Sequence, residues 1–97
     1  MAAASRRGDL SAGHACFPPT NCTSGVASKT FINGIPAQII GSSYTSHRCG
    51  KSIHFTRLTS TGSSTVFIEG VPAIRIGDSI SCGDSVGQGS PNVQFGG

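Results

Sequence analysis

Two segments of the chain carry nearly the same sequence at an offset of 36 residues. Residues 30–37 read TFINGIPA and residues 66–73 read VFIEGVPA. A shorter third copy, residues 89–97, follows residues 62–70 at an offset of 27 and stops where the Pro-Ala pair would begin. Repetition of this kind is the signature of stacked supersecondary units that bury their apolar faces against one another. The repeat therefore predicts a small body made of three similar units.

Composition bounds the fold and excludes some functions. We expect residues 1–97 to form one domain with a thin core, since small chains bury a low fraction of their surface. Seven dispersed basic residues and four acidic ones give a net charge of +3. They form no basic stripe or patch, so nucleic-acid binding is not indicated. No apolar run has the length of a signal peptide or a membrane span, and synthesis and folding in a cytosol are expected.

Strand signals are short and helix signals are nearly absent. Segments rich in β-branched and aromatic residues predict strands at 29–33, 38–40, 64–69, 73–76 and 92–95. The Gly-x-Pro-Ala connectors at 34–37 and 70–73 are predicted as tight turns between paired strands. Three hairpins with one apolar face each can bury those faces only against one another. The predicted fold is all-β: a small conical body of short strands and hairpins with pseudo-threefold symmetry, and with a metal near the apex.

Every histidine and cysteine lies in the loops between the copies. When the loops are aligned on Gly8, Gly41 and Gly77, equivalent positions supply two imidazoles and a thiol, and the longest loop supplies a further imidazole. The predicted metal ligands are His14, His47, His54 and Cys82. Tetrahedral Zn²⁺ is the expected ion for three nitrogens and one sulfur, with Fe²⁺ as the alternative.

Other roles for the cysteines stay open at this point. An alternative ligand set uses the His14-x-Cys16 and His47-x-Cys49 pairs. Disulfides are less favoured, because a reducing compartment makes metal ligation or free thiols the commoner use of cysteine. The roles of Cys16, Cys22 and Cys49 are left unassigned.

The predicted site is structural rather than catalytic. Four protein ligands leave no open position for water or substrate, so the ion would hold the three loops together and have a structural role. No Gly-x-Ser-x-Gly elbow is present, and we assign no catalytic residue. Asp9 and Asp78, each after a glycine, are predicted to cap turns.

Residues 70–78, GVPAIRIGD, resemble the Pro-Ala-Ala-Arg (PAAR) repeat family, and the resemblance spans nearly the whole chain. The second copy departs from the motif at Ile74, whereas the first departs at Gln38 and Ile39, which replace Ala and Arg. The closing pattern Gly-Ser-Pro-x-Val-x-Phe-x-Gly is similar to the family's last strand. Members of this family cap the central spike of contractile phage tails and type VI secretion systems.

The resemblance implies a cone whose broad base docks, as a monomer, on a trimeric β-helical spike of the VgrG-like or tail-lysozyme kind. It also implies zinc near the sharp end, held by three His and one Cys, which fall on the four residues named above. Base contacts are expected from apolar side chains that could equally be core: Phe31, Ile32, Phe67, Ile68 and Phe95. The expected role is to help pierce the bacterial outer membrane.

The compact length resembles the stand-alone tail-spike tips of T4-like contractile-tailed phages. The expected location is therefore the virion, at the tip of the baseplate's central spike, after synthesis in the host cytoplasm. Two other functions are weighed: an adaptor that carries a toxic effector or other cargo on the spike, and a small metal-dependent hydrolase in which water replaces one ligand.

Overall fold

Ten short β-strands form the secondary structure of the computed structural model, which describes residues 2–96. They pair as five two-stranded antiparallel ladders. The strands are β1 (Ala2–Ala3), β2 (Cys22–Ser24), β3 (Phe31–Ile32), β4 (Ile35–Pro36), β5 (Ser43–Tyr44), β6 (His47–Cys49), β7 (Ser52–His54), β8 (Phe67–Ile68), β9 (Val71–Pro72) and β10 (Gln94–Phe95). No helix long and apolar enough to cross a membrane occurs among residues 2–96. The predicted all-β class of short hairpins is confirmed.

The two full repeats form hairpins β3–β4 and β8–β9 with the same two-residue turn. Both central residues have positive φ, 55° and 77° at Asn33-Gly34 and 53° and 82° at Glu69-Gly70. Positive φ at both positions defines a type I′ turn, whose twist matches that of the flanking strands. The repeated sequence thus specifies a repeated hairpin.

The predicted positions of the turns and second strands were wrong. The turn ends at the glycine, and the rest of each Gly-x-Pro-Ala connector begins the returning strand, Ile35–Pro36 or Val71–Pro72. Proline is tolerated in the returning strand because each ladder has only two strands. Every strand is then an edge strand, and the missing N–H group of proline can face away from the partner strand. Segments 38–40 and 73–76, predicted as second strands, instead make isolated bridges between neighbouring units.

The third hairpin is formed by the two ends of the chain. β1 pairs with β10, so that residues 93–95 take the place of residues 66–68 and residues 2–4 take the place of residues 71–73. The incomplete third copy is therefore continued by residues 3–6, AASR, which stand where residues 72–75, PAIR, stand in the second. The sequence analysis missed this continuation, although the shared Arg-x-Gly-Asp of residues 6–9 and 75–78 was the available signal. Met1 and Gly97 lie outside the described residues.

A ring of three backbone hydrogen bonds joins the units at the centre of the body. Ser5 N–H donates to Ile74 O (3.1 Å), Ile74 N–H to Gln38 O (3.2 Å), and Gln38 N–H to Ser5 O (3.0 Å). All three residues are fully buried and occupy equivalent positions in their units. The ring confirms the predicted pseudo-threefold symmetry.

Equivalent turns after the ring are capped by side chains. The carboxylates of Asp9 and Asp78 each accept the backbone N–H and the guanidinium N–H groups of the arginine three residues earlier. In the first repeat the Ser42 hydroxyl accepts the corresponding backbone N–H instead. The structure therefore bears out turn capping as the role of both acids.

Two small apolar clusters fill the interior of an elongated body of 38 × 24 × 21 Å. The first lies among the three hairpins, and the second lies under the loops that follow them. Their buried members are Ala4, Ala27, Ile32, Ala37, Ile68 and Ala73 in the first, and Cys22, Tyr44, Ile74, Ile80 and Val86 in the second. Beyond the second cluster the interior becomes polar.

Candidate metal centre

Two of the predicted ligands face each other across hairpin β6–β7. The register pairs His47 with His54, and directly opposed residues of an antiparallel pair project from the same face. His47 Nε2 lies 2.9 Å from His54 Nδ1. The hairpin alone therefore assembles half of the predicted ligand set.

A tight turn in the first loop supplies the third imidazole. His14 and Phe17 exchange two backbone hydrogen bonds, of 3.1 and 2.8 Å, around a two-residue turn. Gly13 precedes it with φ of 81°, and a Cβ there would lie 3.0 Å from the Phe17 carbonyl oxygen, so the approach requires glycine. The turn places His14 Nε2 3.2 Å from His47 Nε2.

Cys82 reaches the same point from the third loop. Its Sγ lies 3.9 Å from His47 Nε2, and the four donor atoms all lie within 4.8 Å of one another. His47 is buried, and the other three side chains are half-buried. The structure thus brings together the three residues selected by the loop alignment and His54, the further imidazole of the longest loop.

A hydrogen bond outside the cluster sets the tautomer of His47. Its Nδ1 lies 3.0 Å from the carbonyl oxygen of Pro18, which can only accept, so Nδ1 carries the proton and Nε2 presents a lone pair to the cluster. Burial lowers the pKa of His47 and the Arg57 cation lowers it further, whereas the Pro18 contact raises it. The net shift favours the neutral imidazole that binds a metal.

The spacing of the donor atoms fits a tetrahedral ion. Bonds of zinc length require edges of about 3.3 Å between nitrogens and about 3.6 Å between nitrogen and sulfur. The observed nitrogen–nitrogen separations of 2.9 and 3.2 Å are slightly shorter than the first value, and the observed nitrogen–sulfur separation of 3.9 Å is slightly longer than the second. Small side-chain movements would bring all four donors to bonding distance of one ion, and such a closed set suits a structural metal.

Two of the unassigned cysteines form a disulfide. Cys16 and Cys49 are bonded with their Cα atoms 5.4 Å apart, contrary to the expectation of thiols or metal ligation. Cys49 lies two residues after His47 on one face of β6, and Cys16 lies two residues after His14. Convergence of the imidazoles therefore also brings these sulfurs together. The bond excludes the alternative ligand set while it is intact.

Cys22 is a buried free thiol in the second apolar cluster. Burial raises its pKa to about 12, so it behaves as a small apolar side chain.

Phe17 covers the three imidazoles. Its ring centroid lies 4.0 Å from that of His54, 4.6 Å from that of His47 and 4.9 Å from that of His14. An aromatic cover keeps water from the ligand nitrogens and limits imidazole rotation. The sequence analysis missed this residue, for which an aromatic directly after His-x-Cys was the only signal.

A buried ion pair lies under the cluster and was also missed. The Arg57 and Asp84 side chains are both fully buried and in contact, and Arg57 Nε lies 3.2 Å from Cys82 Sγ. The sequence offered no signal for this pair, because its members are 27 residues apart and lie in different loops.

Comparison with known proteins places the chain in a family. The sequence profile described as PAAR motif matches residues 12–88, which is 77 of the 97 residues and includes all four candidate ligands. No curated protein shows significant similarity to the chain.

Proposed function

Because the chain belongs to the PAAR motif family, we propose that it is the metal-stabilised tip of the central spike of a contractile injection system. Proteins of this family sharpen and cap VgrG-like spikes, sit at the spike tip of contractile injection machinery and are generally non-catalytic. The single observation that carries the proposal for this chain is the convergence of donor atoms from three loops on one point beyond the last apolar cluster.

We propose that His14, His47, His54 and Cys82 hold Zn²⁺. A tapering β-body has too little volume near its narrow end for an apolar core. In this protein buried polar side chains such as Arg57 and Asp84 follow the second apolar cluster there. Structural zinc contributes about 10 to 16 kcal/mol of apparent binding energy, which is comparable to the whole stability of a small domain. The ion would replace the missing apolar layer and stiffen the tip.

The surface that would dock on the trimeric spike lies at the hairpins β3–β4 and β8–β9. Phe31 and Phe67 occupy equivalent positions there and are 58% and 56% exposed. Ile32 and Ile68, also considered as base contacts, are buried in the first cluster, and Phe95 packs against it. The two phenylalanines are therefore our candidates for the apolar contact with the spike.

We propose further that the spike belongs to a contractile phage tail and that the tip helps to pierce the host outer membrane. Support comes from the resemblance of residues 70–78 and 89–97 to PAAR repeat proteins, whose members cap the central spike of contractile phage tails as well as type VI secretion systems. A rigid tip concentrates the force of tail contraction on a small area of membrane.

The metal proposal is tested by elemental analysis of purified variants. His14→Ala, His47→Ala, His54→Ala and Cys82→Ala should each lose bound metal, and Cys22→Ala, which removes the other free thiol, should retain it. Retention of one metal per chain by all four ligand variants would refute the assignment.

The docking proposal is tested by capture on the isolated spike trimer. Phe31→Ser/Phe67→Ser should weaken capture at least tenfold, whereas Phe55→Ser, which alters a side chain that is 75% exposed next to β7, should not. Equal capture of the original chain, the double variant and the Phe55→Ser control would show that the hairpin face is not the docking surface.

A further inference from the structure

Arg57 uses all of its hydrogen-bonding capacity inside the protein. A guanidinium has five N–H donors, and each has a partner here although the residue is fully buried. The Nε–H group donates to Cys82 Sγ at 3.2 Å. Nη1 donates to the Thr45 carbonyl oxygen at 2.8 Å and to Thr20 Oγ1. Nη2 donates to Ser11 Oγ at 3.1 Å and to Asp84 Oδ2.

These partners come from all three loops that supply the candidate metal ligands. Ser11 and Thr20 flank the His14 turn, Thr45 precedes His47, and Asp84 follows Cys82 by two residues. One side chain therefore ties the three loops together directly below the ligand cluster. The threefold equivalents of Ser11 are the larger residues Tyr44 and Ile80. The Ser11 hydroxyl accepts a hydrogen bond from the guanidinium.

Asp84 makes this arrangement electrostatically acceptable. A lone buried cation beside a metal ion would repel it and would pay a large desolvation penalty. The Asp84 carboxylate cancels the charge of Arg57, so that Nε–H can donate to the Cys82 sulfur without adding net positive charge next to the ion.

We propose that Arg57 is a positioning residue for the metal centre: its Nε–H holds the Cys82 sulfur toward the three imidazoles and withdraws electron density from it. The proposal rests on the proposed metal site. Partners that orient metal ligands change metal affinity by about 10- to 100-fold when they are removed. A hydrogen bond to a thiolate also lowers the energy of its lone pair, which moves the sulfur-to-metal charge-transfer band to higher energy.

The test uses the full chain loaded with Co²⁺. Arg57→Met/Asp84→Asn removes the donor together with its counter-charge, so that no buried charge is left alone. The expected result is a charge-transfer band at longer wavelength and a Co²⁺ affinity about 10- to 100-fold lower. The matched control is Arg75→Met/Asp78→Asn, which removes another Arg–Asp pair whose side-chain hydrogen bonds reach none of the four candidate ligands, and it should leave both quantities unchanged.

A purely structural role for Arg57 would lower the folded fraction but leave the band of the folded, loaded protein in place. An unchanged band and an affinity within twofold of the original would overturn the proposal. If the original chain itself shows no sulfur-to-Co²⁺ band, the metal site fails first, which distinguishes the two failures.

A second measurement needs no variant and holds even if the double variant does not fold. In the ¹¹³Cd-loaded protein, the Arg57 Nε–H proton should show scalar coupling to cadmium across the N–H···S hydrogen bond. Coupling from the Cys82 Cβ protons without coupling from Arg57 would contradict the proposal.

Discussion

The disulfide between Cys16 and Cys49 should contribute a large part of the stability of this small protein. The bridged residues are 33 positions apart. The loop-entropy relation then gives about 12.5 cal/mol/K, or about 3.7 kcal/mol at 25 °C. The free energy of unfolding of a typical domain is about 5 to 15 kcal/mol, so Cys16→Ser/Cys49→Ser should remove a large part of it. For a domain of this size it corresponds to a fall in Tm of about 15 to 30 °C.

Guanidinium denaturation followed by circular dichroism measures this contribution at a fixed free zinc concentration. The original chain treated with a phosphine reductant should unfold with the free energy of the double variant. The double variant itself should be insensitive to the reductant, which controls for any effect of the reagent. Both substitutions lie at side chains that are exposed or half-exposed, so lost packing contributes little.

Two results would refute this reasoning. The unfolded, unreduced protein should contain two titratable thiols, Cys22 and Cys82, and a count of four would show that the bridge does not form. A stability difference below about 1 kcal/mol with the bridge intact would show that closure of the 33-residue loop does not constrain the unfolded chain as calculated.

Three further predictions concern the interior and the metal-free centre. Burial raises the pKa of the Cys22 thiol to about 12, so Cys22 should resist alkylation by iodoacetamide at pH 8 until denaturant is added. Rapid alkylation of Cys22 in the native protein, detected by mass spectrometry, would contradict its burial. Ile74→Ala, at a fully buried side chain, should cost about 2 to 5 kcal/mol in chemical denaturation, whereas Ile76→Ala, at a side chain 40% exposed, should cost far less, and equal losses would contradict the assigned core. The pKa of His47 is lowered in the folded protein, so below pH 6.5, the ordinary pKa of histidine, the unfolded chain binds more protons than the folded one. The metal-free protein should therefore lose stability as the pH falls from about 6.5 toward 5. A free energy of unfolding that does not change over this range would contradict the prediction.

Local sequence was sufficient to predict that each full repeat forms a hairpin, although it misplaced the turn and the second strand, and it was sufficient to select the candidate ligands. The Asn-Gly and Glu-Gly pairs set a turn through backbone preferences of adjacent residues, and the repeat carries that turn to an equivalent place in the next unit. Alignment of the loops selected His14, His47 and Cys82, to which His54 of the longest loop was added, because equivalent loops of a pseudo-threefold body end at the same point. Both inferences need only short-range geometry and symmetry.

Tertiary structure alone decided which distant segments complete these units. The closure of the third hairpin by β1 and β10, the Arg57–Asp84 pair and the Cys16–Cys49 bridge each join residues far apart in sequence. Nothing in the spacing of such residues requires them to meet, since their contact depends on how the three units pack around the central ring of backbone hydrogen bonds. A repeat thus determines the units of this protein, whereas the packing of the units determines the polar layer that supports its candidate metal centre.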